Sequence, residues 1–292
     1  METLEGLKRR IESTEGLHSV VKTMKSLAAV KIRQFETAVE SLGEYSRTVE
    51  MGLRAVLQQG SDMIALNGRS RSGGFGAVVF GSDQGMCGQL NDQVVSFALE
   101  RVWDAGFPVG RRQMLAAGER AAGRLKDQGQ EIDGWLSVPA SEDGIAEKVT
   151  ELLFHIEKWN REHSIDRVNL YYAKHLSGGS YRPEEVRLLP VDDQWPDRLA
   201  RHEWPTRALP LFTMDREALF SALIRQYVFV SLFRAFAESL ASENAARLAS
   251  MQGAEKNIQE QLAGLRMGFH QQRQAAITEE LLDIVSGFES LS

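Results

Sequence analysis

Apolar residues recur in steps of three and four at both ends of this chain, with gaps at Thr14 and Lys31 on the N-terminal side and a break after Leu240 on the C-terminal side, while the middle follows a different rule. Near the N-terminus they are Leu4, Leu7, Ile11, Leu17, Val21, Met24, Ala28, Phe35, Ala38, Leu42, Tyr45, Val49, Leu53 and Val56. Near the C-terminus they are Leu219, Leu223, Tyr227, Val230, Phe233, Phe236 and Leu240, then Leu248, Met251, Ala254, Ile258, Leu262, Leu265 and Phe269. A narrow seam with a mean spacing of about 3.5 residues is what two helices need to wind round each other. All seven prolines lie between Pro108 and Pro210, so neither end is interrupted. The pattern predicts an N-terminal coiled-coil helix over 1–58 and a C-terminal one over 213–292, paired antiparallel. At about 1.5 Å per residue these would be roughly 80 Å and 110 Å long. The second outruns the first, so one end of the pair must be a single helix. Gly253, Gly264, Gly268 and Gly287 interrupt that longer helix, each at a cost of up to about 1 kcal/mol against Ala. They read either as points of close helix approach or as tolerated surface glycines.

Between the two helices the periodicity changes. Residues 59–75 are rich in Gly and Ser and read as a flexible loop. A globular α/β domain is expected over 76–212. Short apolar runs at 76–82, 112–118, 131–137 and 166–175 read as strands, and 185–191 as a further candidate. Helical stretches follow from Leu90 to about Asp104, over 119–127 and over 144–162. Strands alternating with helices indicate a mostly parallel sheet covered by helices. Residues 192–212, with Trp195 and Trp204 among prolines, read as an irregular connector back to the C-terminal helix.

Composition narrows the function. The net charge of -6 argues against a general nucleic-acid binder, which needs a basic surface. Cys87 is the single cysteine, so no internal disulfide can form, which suits a reducing compartment. No run approaches the length of an apolar membrane span, and the first residues lack the apolar core of a signal peptide. Membrane association is therefore expected only through partners.

Motifs for chemistry are sparse. There is no GxxxxGK[ST] phosphate loop and no GxGxxG after a strand. The six histidines show no metal-ligand spacing, and His155 and His163 read as boundary or surface residues of a helix. No cofactor or metal is implied. The one candidate for local chemistry is the run Ser82 to Asn91 (SDQGMCGQLN), at a strand-to-helix turn where open α/β sheets often bind ligands. Cys87 near a helix N-terminus could be a nucleophile. The competing reading is a tight turn, with Gly85 and Gly88 supplying unusual backbone angles, Asp83 a cap and Cys87 small buried bulk.

Two helix faces are unusual. Between Glu15 and Glu36 there is no acid, while Lys22, Lys25, Lys31 and Arg33 are basic. Solvated faces normally mix signs for i,i+4 pairing, so this is either a solvated coiled-coil face or a contact for an acidic partner. At the other end, Ile277, Leu281, Ile284, Val285 and Phe288 form an apolar stripe beside Glu279, Glu280 and Asp283. A single projecting helix this apolar calls for a protein sleeve.

These residues carry a family resemblance. Leu7 to Ile11 with Val21 to Arg33, the SDxGxCGxxN block from Ser82 to Asn91, and Ser242 to Met251 with Asn257 and Arg273 to Glu280 together resemble the gamma subunits of F-type ATP synthases. The resemblance spans essentially the whole chain. It implies a non-catalytic rotor shaft that couples transmembrane ion flow, proton or sodium, to ATP synthesis or hydrolysis at the beta subunits. The implied partners are three alpha and three beta subunits, an epsilon subunit and the c subunits of the membrane rotor ring. The implied location is peripheral, on the cytoplasmic face of the bacterial cell membrane. Carried over by position, Lys22, Met24, Lys25 and Arg33 would meet an acidic lever of beta. Arg273, Gln274 and Thr278 would form a polar catch to beta, and Ile277, Leu281, Ile284 and Val285 an apolar bearing. Asp83, Gly85, Cys87, Gly88 and Asn91 would form the turn of the globular domain. Asn244, Leu248, Glu255 and His270 depart from the family pattern, as do Lys25 and Ser26. These departures point to a divergent branch, such as the alternative bacterial complexes that pump sodium or mainly hydrolyse ATP. The readings competing with a rotor are a static coiled-coil scaffold and a Cys87-dependent α/β enzyme.

Overall fold

The computed structural model describes residues 3–58, 73–176, 180–189 and 212–289. Most of the expected 59–75 loop and nearly all of the 192–212 connector lie outside them. The described elements are α1 (Leu4–Gln58), β1 (Gly74–Phe80), α2 (Leu90–Asp104), β2 (Arg112–Ala117), α3 (Glu119–Asp127), β3 (Gly134–Leu136), α4 (Ile145–His163), β4 (Ile165–His175), β5 (Tyr181–Leu189) and α5 (Arg216–Glu289). The chain divides into two compact units: residues 29–247, and residues 1–28 with 248–292. Helices α1 and α5 contribute residues to both.

The larger unit is built on a five-stranded sheet of order β3-β2-β1-β4-β5. Strands β1, β2, β3 and β4 are mutually parallel, and β5 runs antiparallel to β4 at one edge. Strand β1 is buried along its whole length, as a central parallel strand should be. Its side chains alternate between two cores. Phe75, Ala77 and Val79 face α2 and α3, meeting Leu90, Val94, Ala98, Val102, Ala121 and Leu125. Val78 and Phe80 face the other way, onto Ile145, Val149, Leu152, Ile156 and Trp159 of α4.

The second core is completed by the terminal helices. Phe35 of α1 and Val228, Leu232, Ala235, Phe236 and Leu240 of α5 belong to it. Phe80 meets Phe236 edge-on, with ring centroids 4.9 Å apart. A stretch of α5 reaches a mean hydropathy of 1.3, enough by length and composition for a membrane span. Here 28% of that stretch is buried inside the fold. Further along the same pair, Val49 and Leu53 pack with Phe220, Leu223 and Tyr227. The partner numbers rise on α5 as they fall on α1, so the helices run antiparallel.

Two differences from the sequence reading have simple causes. Gly74 and Phe75, read as loop, already belong to β1. A Cβ at the next glycine, Gly76, would lie 2.8 Å from the Trp159 ring, so that position lets α4 approach closely. Strand β5 starts at Tyr181 rather than residue 185 and contains Pro183. An edge strand tolerates a proline because its outward N–H has no partner to lose.

The smaller unit is an antiparallel helix pair. Val21, Met251, Ile258 and Leu262 form its buried seam, with Ile11, Met24 and Ala254 partly buried against them. Glu15 pairs with Arg266 at 2.5 Å. Leu17, expected in the seam, is 52% exposed. Added Cβ atoms at Gly253, Gly264 and Gly268 would meet nothing within 4 Å, so these three are surface glycines and not points of close approach.

Gly118, which joins β2 to α3, has φ +118°, and a Cβ there would lie 2.8 Å from the Gly81 carbonyl carbon and the Ser82 nitrogen. Both neighbours are backbone and cannot move aside. Gly118→Ala should therefore lose roughly 2–3 kcal/mol or more of stability. Urea unfolding of the purified chain checks this, and a loss below about 1 kcal/mol would mean the turn relaxes freely.

Candidate functional site: the strand crevice and the helix faces

In a parallel sheet, ligands bind beyond the carboxyl ends of the strands where the strand order reverses. Here that point lies beside β1, which has β2 on one side and β4 on the other. The turn Ser82–Asn91 leaves β1 there. Its groups are spent on one another. The Asn91 carboxamide accepts the Ser82 backbone N–H at 3.0 Å and donates to Ser82 Oγ at 2.8 Å. Ser82 Oγ is within 2.8 Å of the Gln84 carbonyl, to which it donates. Cys87 is 2% exposed, and Asn91 donates to its Sγ at 3.4 Å.

Asp83 caps, but not the helix that follows it. Its carboxylate accepts the backbone N–H of Glu119 at 2.9 Å, the first residue of α3, and that of Val138 at 2.9 Å. One side chain thus ties the ends of β1, β2 and β3 together and satisfies an orphan donor of α3. The left-handed residues of the turn are Met86 (φ 63°) and Gly88 (φ 59°), and not Gly85 as expected.

Helix α5 fills the rest of the crevice. Ser242 Oγ donates to the Ala173 carbonyl of β4 at 2.7 Å. The Arg247 guanidinium donates to Glu243 Oε1 at 2.6 Å and reaches the carbonyls of Gln84 and Gly85 at 3.3 and 3.4 Å. Arg247 and Glu243 are 8% and 5% exposed. Burial pushes the Glu243 carboxyl above its usual range, with the Arg247 guanidinium pulling the other way. Arg247 and Glu243 had no role in the sequence reading. The signal was available: an acid and a base four residues apart within a run of small and apolar residues. Among the described residues, a helix, a buried ion pair and a turn whose groups bond one another occupy the crevice. Cys87 here is buried bulk beside Ser82 and Asn91.

In the smaller unit, the basic positions of α1 have different fates. Lys22 is exposed. Met24 is half-buried in the seam. Lys25 Nζ donates to Glu255 Oε2 of α5, and His18 Nε2 lies 3.8 Å from Glu255 Oε1. The Lys25 hydrogen bond, with the charges of Lys25, His18 and Lys22, holds the Glu255 carboxyl below the usual glutamate range. A depressed folded pKa makes the stability from this pair fully present at neutral pH. It is lost only as the pH falls through that lowered value. Arg33, in the larger unit, is exposed.

The end of α5 presents Arg273, Gln274 and Thr278 to solvent, with Thr278 Oγ1 donating to the Gln274 carbonyl at 2.9 Å. Ile277, Leu281, Leu282, Ile284 and Val285 are 48–61% exposed. At about 100° per residue they share one side of the helix, with Glu279, Glu280 and Asp283 on the other. Among the described residues no group of acids, histidines and cysteines could hold a metal ion.

The fold and these sites define an interaction protein: a long antiparallel helix pair and an α/β domain whose ligand crevice is closed by its own chain. The family model for ATP synthase matches residues 3–291. The ATP synthase gamma chain of Cyanothece sp. is 30% identical over 321 residues, covering 100% of both chains. That of Syntrophus aciditrophicus is 29% identical, covering 100% of this chain and 99% of the other. Among solved structures, the rotor of the Euglena gracilis mitochondrial ATP synthase shares the fold with TM-score 0.63 at 17% identity, over 94% of this chain and 98% of that one. The central stalk and c-ring structure from Tetrahymena thermophila gives TM-score 0.56 at 20% identity, covering 80% and 99%. The chain belongs to the ATP synthase gamma chain family. It is a non-catalytic subunit, a peripheral part of a membrane-associated ATP synthase.

Arg247→Met leaves the Glu243 charge buried without its partner and should cost about 3–5 kcal/mol at neutral pH. Without the guanidinium, the folded pKa of Glu243 rises further above its unfolded value. The loss should then shrink as the pH falls and the folded state takes up a proton. Unfolding of both proteins across the acid range checks this. A deficit independent of pH would show that Arg247 contributes through packing alone.

Proposed function

We infer that this chain is the central rotor shaft of an ATP synthase, turning inside a ring of three alpha and three beta subunits. Its α/β domain sits at the foot, beside an epsilon subunit and on the c subunits of the membrane rotor ring. Ion flow through that ring is coupled through the shaft to ATP synthesis or hydrolysis at the beta subunits. The complex sits on the cytoplasmic face of a bacterial cell membrane, and this chain touches the membrane only through its partners.

The observation that carries the reading is the exposed apolar stripe of Ile277, Leu281, Ile284 and Val285. Water-exposed leucine, isoleucine and valine on successive turns of one helix are stable in a soluble complex when another protein surrounds them. A ring around the end of the shaft does so, and a smooth apolar sleeve lets a helix turn without breaking directed bonds. Arg273, Gln274 and Thr278, on the turns before the stripe, are the polar catch to beta. Lys22 and Arg33, with Lys25, are the basic contacts to the acidic lever of beta, and Met24 supports them from the seam. Asp83, Gly88, Cys87 and Asn91, with Gly85, keep the domain turn fixed to α5. Torque then passes between domain and shaft instead of bending the joint. Coupling of this kind needs a rigid element that biases distant sites differently, and an asymmetric shaft gives each beta subunit a different neighbour.

Reconstitution tests the reading. Mixed with the alpha and beta subunits of its own organism, the chain should form a stable complex with one copy per ring, and sustained ATP hydrolysis should depend on it. A chain that stays free, with hydrolysis unaffected, would contradict the assignment. Removal of residues 279–292 should leave the α/β domain folded but lower ATP-driven ion pumping per ATP hydrolysed. Unchanged coupling after that truncation would remove the apolar stripe from the bearing.

A further inference from the structure

On α1, His18, Lys22 and Lys25 recur at spacings of four and three and so lie along one side of the helix. The smaller unit sets a single carboxylate against them, Glu255 of α5. Lys25 takes one of its oxygens, and His18 stands 3.8 Å from the other. His18 Nε2 is buried and makes no hydrogen bond. Lys22 is exposed and has no ion pair among the described residues. A second ion pair between the two helices of this unit, Glu15 with Arg266, is self-contained. The site is therefore one acid short, and α1 supplies no other acid between Glu15 and Glu36. The complementary chemistry is an acidic protein segment. Side-chain exposures of 31% for Lys25 and 17% for Glu255 leave the pair within reach of such a segment and weak enough to exchange.

We propose that Glu255 is a parking site for Lys25: it holds the ammonium within the helix pair until a partner carboxylate takes it, and receives it back when that carboxylate moves on. The proposal rests on the rotor reading. A shaft that meets successive partners has to leave each one, and a lysine with no home between encounters would hold on to the last or stand unpaired against the wall of the ring. Lys25 is suited to the exchange, because its charge is a compact point on a flexible stem with three rotatable donors. Glu255 sets the strength of each contact by competing for the same charge. Lys22, which feels Glu255 only through space and makes no ion pair with it, supplies the constant part of the attraction.

The test is a double-mutant cycle on the affinity of the full chain for the alpha–beta ring of its own organism, measured at low and at physiological salt. Glu255→Gln frees Lys25 and should bind the ring about three- to tenfold tighter at low salt, with a steeper loss of affinity as salt rises. In a Lys25→Gln background the same change should have a clearly smaller effect, left only from the lost repulsion between Glu255 and the partner acid. Glu255→Asp, which keeps the charge but shortens the reach, should fall between wild type and Glu255→Gln. Helix content by circular dichroism verifies that each variant is folded. Equal or weaker binding by Glu255→Gln, or a gain that survives undiminished in Lys25→Gln, overturns the proposal and makes the pair a fixed structural tie. If the wild-type chain itself does not bind the ring, the rotor reading fails, and this proposal with it.

Discussion

The sheet of the larger unit cannot bury both of its faces with the helices of its own α/β segment. Helices α2 and α3 cover one face, but α4 covers only part of the other. The exposed remainder of Phe80, Leu170 and Tyr172 is closed by α5 and by Phe35 of α1. Burying aromatic and branched side chains is worth roughly 1.5–3 kcal/mol each, so the domain is not complete until the chain returns through α5. Everything else follows from that constraint. The same helix that completes the core carries Ser242 and Arg247 into the strand crevice, and so the place where an α/β enzyme would hold its substrate is used to fasten a shaft.

That fastening explains why residues with catalytic looks do no chemistry here. Ser82, Asp83, Cys87 and Asn91 gather at the end of β1 as nucleophiles and acids do in enzymes. The hydrogen bonds of the cluster stay within it: Asp83 accepts from two backbone amides, Asn91 donates to Ser82 and Cys87, and Arg247 donates to two carbonyls, while Arg247 Nε and Glu243 Oε2 are buried without a hydrogen bond.

Much of this was legible in the residues. The missing prolines and the three-four spacing marked the two long helices, because a helix seam leaves a periodic trace along the sequence. Alternating apolar runs and amphipathic stretches marked a mostly parallel sheet, and the run from Ser82 to Asn91 marked its tight turn. What the sequence hid was every feature that depends on register between distant segments. Asp83 read as a cap at the strand-to-helix turn, and the helix whose first amide it accepts is α3, 36 residues further on. Lys25 read as one of several free bases, and its tie to Glu255 spans 230 residues. Gly253, Gly264 and Gly268 read equally well as contacts or surface, and only the packed pair shows them facing open space. The extent of β5 was missed because Pro183 argues against a strand unless that strand is known to be an edge.

Rotation within the ring is the central claim, and a single-molecule measurement tests it most directly. Cys87 is buried, so Lys126→Cys on the exposed side of α3 offers a unique reactive thiol for a gold rod. With the alpha–beta ring fixed to glass and ATP supplied, the rod should turn continuously in one direction, pausing at three equally spaced angles. A rod that stays still or only fluctuates while the same complexes hydrolyse ATP would contradict the account and leave the chain a static tether.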